Sequence, residues 1–224
     1  MINKVILFVL ILSSYTFAQK KTLPDGFVYG TDLIPNIDVT LRYFSTNNFV
    51  GDTITGYQAN TLIVTKPTAE ALKKVQAELA KEQLGLRVYD AYRPQRAVNH
   101  FIAWAKNLND TLMKQSFYPK VEKQHLFRDG YIASKSGHSR GSTVDVTIID
   151  LKTNKALDMG SPYDYFGEMS WVAHKNLTPL QKKNRARLQK VMRTNGFRNY
   201  AQEWWHFTLK NEPFPDTYFD FVVE

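Results

Sequence analysis

Ser136-Gly137-His138-Ser139-Arg140-Gly141-Ser142-Thr143-Val144-Asp145-Val146-Thr147-Ile148-Ile149 is the stretch that decides how the rest of the chain is read. Its second half, Val144 to Ile149, is rich in β-branched residues and fits a central strand, entered through a loop that carries Gly137 and Gly141. Side chains alternate along a strand, so His138 and Asp145, an odd number of positions apart, cannot share one face of an uninterrupted strand. The two glycines remove that objection, because they let the backbone turn until His138 points back at an inward-facing Asp145. A carboxylate buried there is costly without a cation to neutralise it. Two readings fit these residues: a shared metal ion, or a structural Asp that caps a turn.

Outward from this strand the chain alternates helices and strands. Asp38 to Tyr43 alternates and reads as an early strand, after a polar, Pro-containing stretch from Leu23 to Ile37, and Asn47-Asn48 marks a turn. Leu72, Val75 and Leu79 recur at helical spacing between Pro67 and Leu84, with Pro67 in the first turn and Gly85 just after the last. Leu86 to Tyr92 follows as a short apolar strand that Arg93-Pro94 stops, and Gln95 to Lys106 reads as a second helix. A third helix takes Thr178 as its N-cap and Pro179 at its first position, and stops at Gly196. Phe197 to Leu209 then reads as a hairpin-like pair of aromatic-rich strands. No repeat or interdomain linker interrupts the pattern, so the expected fold class is α+β, a single domain with a central antiparallel or mixed sheet flanked by helices.

A third ligand must come from elsewhere. Of the five histidines, His100, His125 and His174 sit in polar or helical surroundings and read as surface or supporting groups. Glu203-Trp204-Trp205-His206 offers both a ligand and a base. A zinc hydrolase needs three protein ligands, an open position for water, and a carboxylate that takes the water's proton without binding the metal, which His206 and Glu203 fit. Their separation puts them on opposite faces of a regular strand, so Glu203 is expected at a bend or bulge at the strand's start. The competing reading is a surface Glu beside a core Trp pair. With no cysteine in the chain, any metal is held by nitrogen and oxygen.

The formal net charge is +8, but basic and acidic residues are interspersed, without the basic block of a nucleic-acid binder. Positive charge also fits a protein that works near anionic envelope polymers. Lys4, the apolar run Val5 to Leu12 and the small-residue end Thr16-Phe17-Ala18 have the three regions of a secretory signal, and cleavage after Ala18 leaves a mature chain from Gln19 to Glu224. The run is too short for a membrane span. The expected location is therefore periplasmic or secreted, with no stable membrane insertion after cleavage.

At this point the residues resemble a known family, the D-alanyl-D-alanine dipeptidases of the VanX type, within the zinc D,D-peptidases that share a hedgehog-like fold. The family pattern Ser-x-His-x-x-Gly-x-Ala-x-Asp followed by Glu-x-x-His is matched at Ser136, His138, Gly141, Asp145, Glu203 and His206. Thr143 stands where the family has alanine, adding a hydroxyl and a methyl beside the ligands. Further segments look like the same branch: Leu41-Arg42-Tyr43 with Asn48-Phe49-Val50-Gly51, Asp90-Ala91-Tyr92-Arg93-Pro94, Met159-Gly160 with Asp164, and Tyr218-Phe219-Asp220-Phe221. The resemblance implies one Zn²⁺ held by His138, Asp145 and His206, Glu203 as catalytic base, and Arg93 as the group that steadies the developing oxyanion. It also implies that Asp164, with Ser136 and Tyr43, receives the free ammonium of a small dipeptide substrate. The export signal departs from several members of this branch, which act in the cytoplasm. Two rivals remain: a D,D- or L,D-carboxypeptidase acting on peptidoglycan stem peptides, and a zinc-stabilised binding module without turnover.

Overall fold

The computed structural model describes residues 21–224; the secretory signal read from residues 1–18 lies outside them. In chain order the elements are β1 (Phe27–Tyr29), α1 (Gly30–Leu33), β2 (Asp38–Val39), β3 (Ile63–Thr65), α2 (Lys66–Ala80), β4 (Leu84–Asp90), α3 (Gln95–Lys106), α4 (Lys114–Phe117), β5 (Thr143–Asp150), β6 (Lys155–Ala156), α5 (Pro179–Thr194), β7 (Phe197–Tyr200) and β8 (Glu203–Leu209). The main sheet runs β2-β4-β5-β8-β7, with β6 added to the end of β5. Only β2 and β4 pair in parallel, so the sheet is mixed and the domain α+β.

β5 is buried along almost its whole length, as a central strand covered on both faces must be. Leu72, Val75 and Leu79 of α2 are buried at 3% exposure or less, and Leu188 and Met192 of α5 are fully buried. Each such side chain contributes roughly 1.5–3 kcal/mol by leaving water. α5 starts as the sequence predicts: Thr178 Oγ1 accepts from Gln181 N, while Gln181 Oε1 accepts from Thr178 N, a complete capping box in front of Pro179. Gly196 follows with φ +92.

Several elements differ from expectation, among them the strand read over Leu86 to Tyr92, which ends at Asp90. α2 ends at Ala80, not Leu84, because Gln83 takes the left-handed turn (φ +57) expected of Gly85, and Leu84 and Gly85 join β4. Gly85 serves packing there: a Cβ would press on Leu151. The early strand stops at Val39, because Arg42–Phe44 forms a 3-10 turn that drives Tyr43 into the core. The polar stretch 23–37 contains β1, which pairs with the three-residue β3 and closes a small second sheet. Neither strand was legible, since each is too short to show alternation. The Asn47-Asn48 turn is present, with Asn48 Oδ1 accepting from Val50 N and Gly51 N.

Candidate metal centre and cleft

Strand register lines up three polar residues across the sheet. Asp145 of β5 stands opposite Asp90 of β4 on one side and opposite His206 of β8 on the other. His138 joins this row from the 3-10 turn Gly137–Arg140, where Ser136 Oγ accepts from His138 N at 3.3 Å. Gly141 (φ +77) then bends the chain into β5, and its N donates to His138 O. The glycine loop thus performs the reversal that the odd spacing of His138 and Asp145 requires.

His138, Asp145 and His206 each present one ligand atom within 4.8 Å of the other two, a group able to hold a metal ion. His206 Nδ1 lies 3.1 Å and His138 Nε2 3.4 Å from Asp145 Oδ1. His138 is 1% and Asp145 2% exposed, yet His138 Nε2 and Asp145 Oδ1 have no hydrogen-bond partner. Buried polar atoms left this way cost free energy, and a cation at their meeting point would satisfy both. The other nitrogen of His138, Nδ1, lies 2.8 Å from Ala91 O, so it donates there and leaves the Nε2 lone pair directed at the cluster. Tyr163 Oη donates to Asp145 Oδ2 at 3.0 Å, which holds that carboxylate's other oxygen.

The electrostatics agree with a cation site. Burial opposes ionisation of Asp145, but the imidazoles of His138 and His206 hold its carboxyl well below the usual carboxylate range. Burial likewise opposes protonation of His206, yet the adjacent carboxylates of Asp145 and Glu203 outweigh it and push the imidazole up to about 9. A site that strengthens the hold of an imidazole on a proton in this way favours positive charge at that point.

Glu203 sits at the first position of β8, where the β7–β8 register shifts between Asn199 and Tyr200. The irregularity brings Glu203 Oε2 to 3.3 Å from His206 Nδ1, so two residues that a regular strand would separate share one cavity. Arg93 lies on another wall. Its guanidinium stands 5.0 Å from the Tyr43 ring centre and 5.2 Å from that of Phe101, and one terminal nitrogen is 3.8 Å from Asp145 Oδ2. Asp164, 5% exposed and with φ +60, accepts a 2.9 Å hydrogen bond from Tyr43 Oη. Burial first, then the negative charge of Asp145, push its carboxyl well above the usual range. Ser136, Tyr43, Arg93, Asp164, Glu203 and the three grouped residues all line one cavity of about 330 Å³.

The remaining histidines stay out of this group. His100 Nδ1 accepts from Thr55 N at 3.1 Å, outside the cleft. Thr143 turns its hydroxyl to Thr208 on β8 at 2.9 Å, so the change from alanine is absorbed between strands. Two supporting residues escaped assignment from sequence. Asp90, fully buried, binds Arg93 and accepts from Tyr57 Oη at 2.6 Å, and Tyr163 steadies Asp145. The signal for Asp90 was its place at the end of an apolar strand, three residues before an arginine; Tyr163 gave none.

Known proteins resemble this chain over most of its length. A family profile described as D-ala-D-ala dipeptidase matches residues 24–224. A D-alanyl-D-alanine dipeptidase of Enterococcus faecalis is 39% identical over 201 residues, spanning 90% of this chain and 100% of the relative. One from Streptomyces coelicolor is 39% identical over 197 residues, covering 88% of this chain and 98% of its own. One from Escherichia coli is 30% identical over 177 residues, 79% of this chain and 81% of the relative. With a profile match across nearly all described residues, the chain belongs to the D-Ala-D-Ala dipeptidase family.

Proposed function

We propose that this protein is a zinc peptidase that hydrolyses the dipeptide D-alanyl-D-alanine to D-alanine in cell-wall peptide metabolism, and that it acts after export. The observation that carries the reading is the pair of buried, unpartnered ligand atoms on His138 and Asp145, which meet His206 beside a carboxylate and a guanidinium in one cleft. His138, Asp145 and His206 would hold the metal. A bound zinc supplies a water acidified towards neutral pH and a Lewis acid for the peptide carbonyl.

The chain's own groups perform the rest. Glu203 lies beside the ligand group and takes the proton of the attacking water, then returns it to the leaving amine. Arg93 keeps its charge at any physiological pH and, anchored by Asp90, faces the developing oxyanion. Asp164 receives the substrate ammonium, with Tyr43 and Ser136 beside it. An ammonium at that point favours the ionised carboxyl that burial otherwise disfavours. A substrate with an acylated amine leaves the carboxyl unpaired, and that penalty selects dipeptides over stem peptides.

Metal analysis of the purified protein, with D-alanine release from D-Ala-D-Ala, L-Ala-L-Ala and N-acetyl-D-Ala-D-Ala, tests the reading. About one zinc per chain and turnover confined to the free D,D-dipeptide is the expected result. Preference for the acylated peptide makes the protein a carboxypeptidase instead. Full metal occupancy without turnover of any of them makes it a binding module. Export is supported by Lys4, the apolar run Val5 to Leu12 and the small-residue site ending at Ala18. No helix among the described residues is long and apolar enough to cross a membrane. Cell fractionation, with a mature chain beginning at Gln19, checks the location.

A further inference from the structure

Residues 159–171 follow β6, carry Tyr163 to Asp145 and Asp164 and Phe166 into the cleft, and lead on towards α5. Apart from the short turn Glu168–Ser170 the segment has no regular structure, and no strand pairing fixes its position. Near its tip, Asp164 adopts a left-handed backbone conformation (φ +60) and binds Tyr43, while Phe166 N donates to Phe117 O. A left-handed backbone at a non-glycine residue carries some strain, which the contacts around Asp164 offset.

The base of this loop is closed by one side chain from α5. Arg185, 2% exposed, donates from Nε to Met159 O at 2.5 Å, from one terminal nitrogen to Trp171 O at 2.7 Å and from the other to Met169 O at 2.6 Å. The three acceptors belong to the two ends of the same segment. Asn184 adds a fourth tie, to Asp158 O at 2.9 Å. Among the described residues Arg185 forms no direct ion pair, and burial, opposed only by the more distant charge of Asp158, pulls its guanidinium down to about 10. A desolvated cation without a carboxylate is an expensive way to stabilise a fold when apolar side chains of similar size are available. What arginine offers here is a rigid fork that fixes three carbonyls in one plane, which a lysine ammonium cannot do.

We propose that Arg185 is a positioning residue for substrate recognition: by clamping the base of the 159–171 loop it fixes where Asp164 stands, and so sets the affinity for the substrate ammonium without touching substrate. This rests on the reading of Asp164 as the group that receives the amine. A charge-assisted hydrogen bond is sensitive to small displacements, whereas Glu203, Asp145 and His206 sit on strands and His138 on its own 3-10 turn, so that Arg185 reaches the metal group only through the Tyr163 hydrogen bond to Asp145.

The test is steady-state kinetics on metal-loaded Arg185→Lys, Asp164→Asn and the double variant, with thermal unfolding of each. Arg185→Lys should raise KM for D-Ala-D-Ala about tenfold, leave kcat within about twofold, and narrow the discrimination against N-acetyl-D-Ala-D-Ala. The double variant should be no worse in KM than Asp164→Asn alone, since both changes remove one interaction. Should Arg185→Lys fail to fold, Arg185→Gln, which keeps two of the donors, is measured in the same way. A folded Arg185 variant with lower Tm but unchanged KM and unchanged discrimination overturns the proposal, as do KM effects that add in the double variant. An unchanged KM in Asp164→Asn overturns the underlying reading of Asp164, and the proposal with it.

Discussion

Asp90 Oδ2 accepts a hydrogen bond from Arg93 Nε at 2.9 Å and pairs ionically with a terminal nitrogen of the same guanidinium at 2.8 Å, while Tyr57 donates to its other oxygen. Asp90 is fully buried, so the pair is desolvated and its geometry fixed. Asp90→Asn keeps the volume but leaves Arg93 with an uncompensated charge and a weaker tether. Removing one partner of a buried pair costs about 3–5 kcal/mol, and a guanidinium displaced by about 1 Å loses ~100-fold in rate. The expected outcome is a lower Tm and kcat/KM down about 100-fold with metal content unchanged, measured by calorimetry, kinetics and metal analysis. A variant that kept wild-type kcat would show that Arg93 needs no anchor.

Glu203 is adjacent to the ligand group but outside it, and that separation is testable. Glu203→Gln preserves shape and removes the base, so kcat should fall by roughly 10²–10⁴. KM and metal occupancy should stay near wild type, because no ligand is lost. Loss of metal along with activity would place Glu203 among the ligands.

How much of this was legible depended on how locally each feature is encoded. α3 and the start of α5 were read correctly because apolar spacing, Pro179 and the Thr178 cap all lie within a few residues of one another. The bulge at Glu203 followed from arithmetic on alternation alone. β1 and β3 were missed because their pairing joins residues far apart in the chain, and Gln83 displaced Gly85 because a left-handed turn tolerates more than glycine. Within the cleft, Arg93 and Asp164 came from family likeness, whereas the supports Asp90, Tyr163 and Arg185 are visible only once the strands are in register.

Metal removal should show in stability with a definite pH dependence. In the metal-free protein His206 titrates at about 9, above its ordinary 6.5. A raised pKa contributes stability below about 6.5 that is lost as pH rises through 9. The same proton competes with the metal, so metal affinity falls as pH drops below about 9. Both effects have one sign: the Tm difference between zinc-loaded and chelator-treated protein should widen from pH 6.5 to 9 in differential scanning calorimetry. A difference that shrank over that range would show that this proton is not what zinc replaces.

The bend that aims His138 at Asp145 depends on Gly141, for two separable reasons. Its φ of +77 is one that alanine adopts only under strain, and a Cβ there would run into the ring of Phe27. Phe27 cannot move aside, because it is packed among Tyr92, Phe214, Phe219 and Phe221. The backbone is fixed as well, with Gly141 O accepting from Thr65 N at 2.8 Å. Strain and overpacking each cost about 1–3 kcal/mol, so Gly141→Ala should destabilise by about 3 kcal/mol or more. Displacement should reach His138 through the single turn between them, and metal affinity should fall with stability. Gly137 lies in the same loop with an ordinary φ, and the tightest contact of a Cβ there is a single atom, the Thr143 hydroxyl oxygen, with the flexible end of Arg140 next. Gly137→Ala should therefore cost less than Gly141→Ala in urea midpoint and in zinc retention. Equal effects of the two substitutions would mean that the loop's general crowding, and not the left-handed turn at Gly141, positions the histidine.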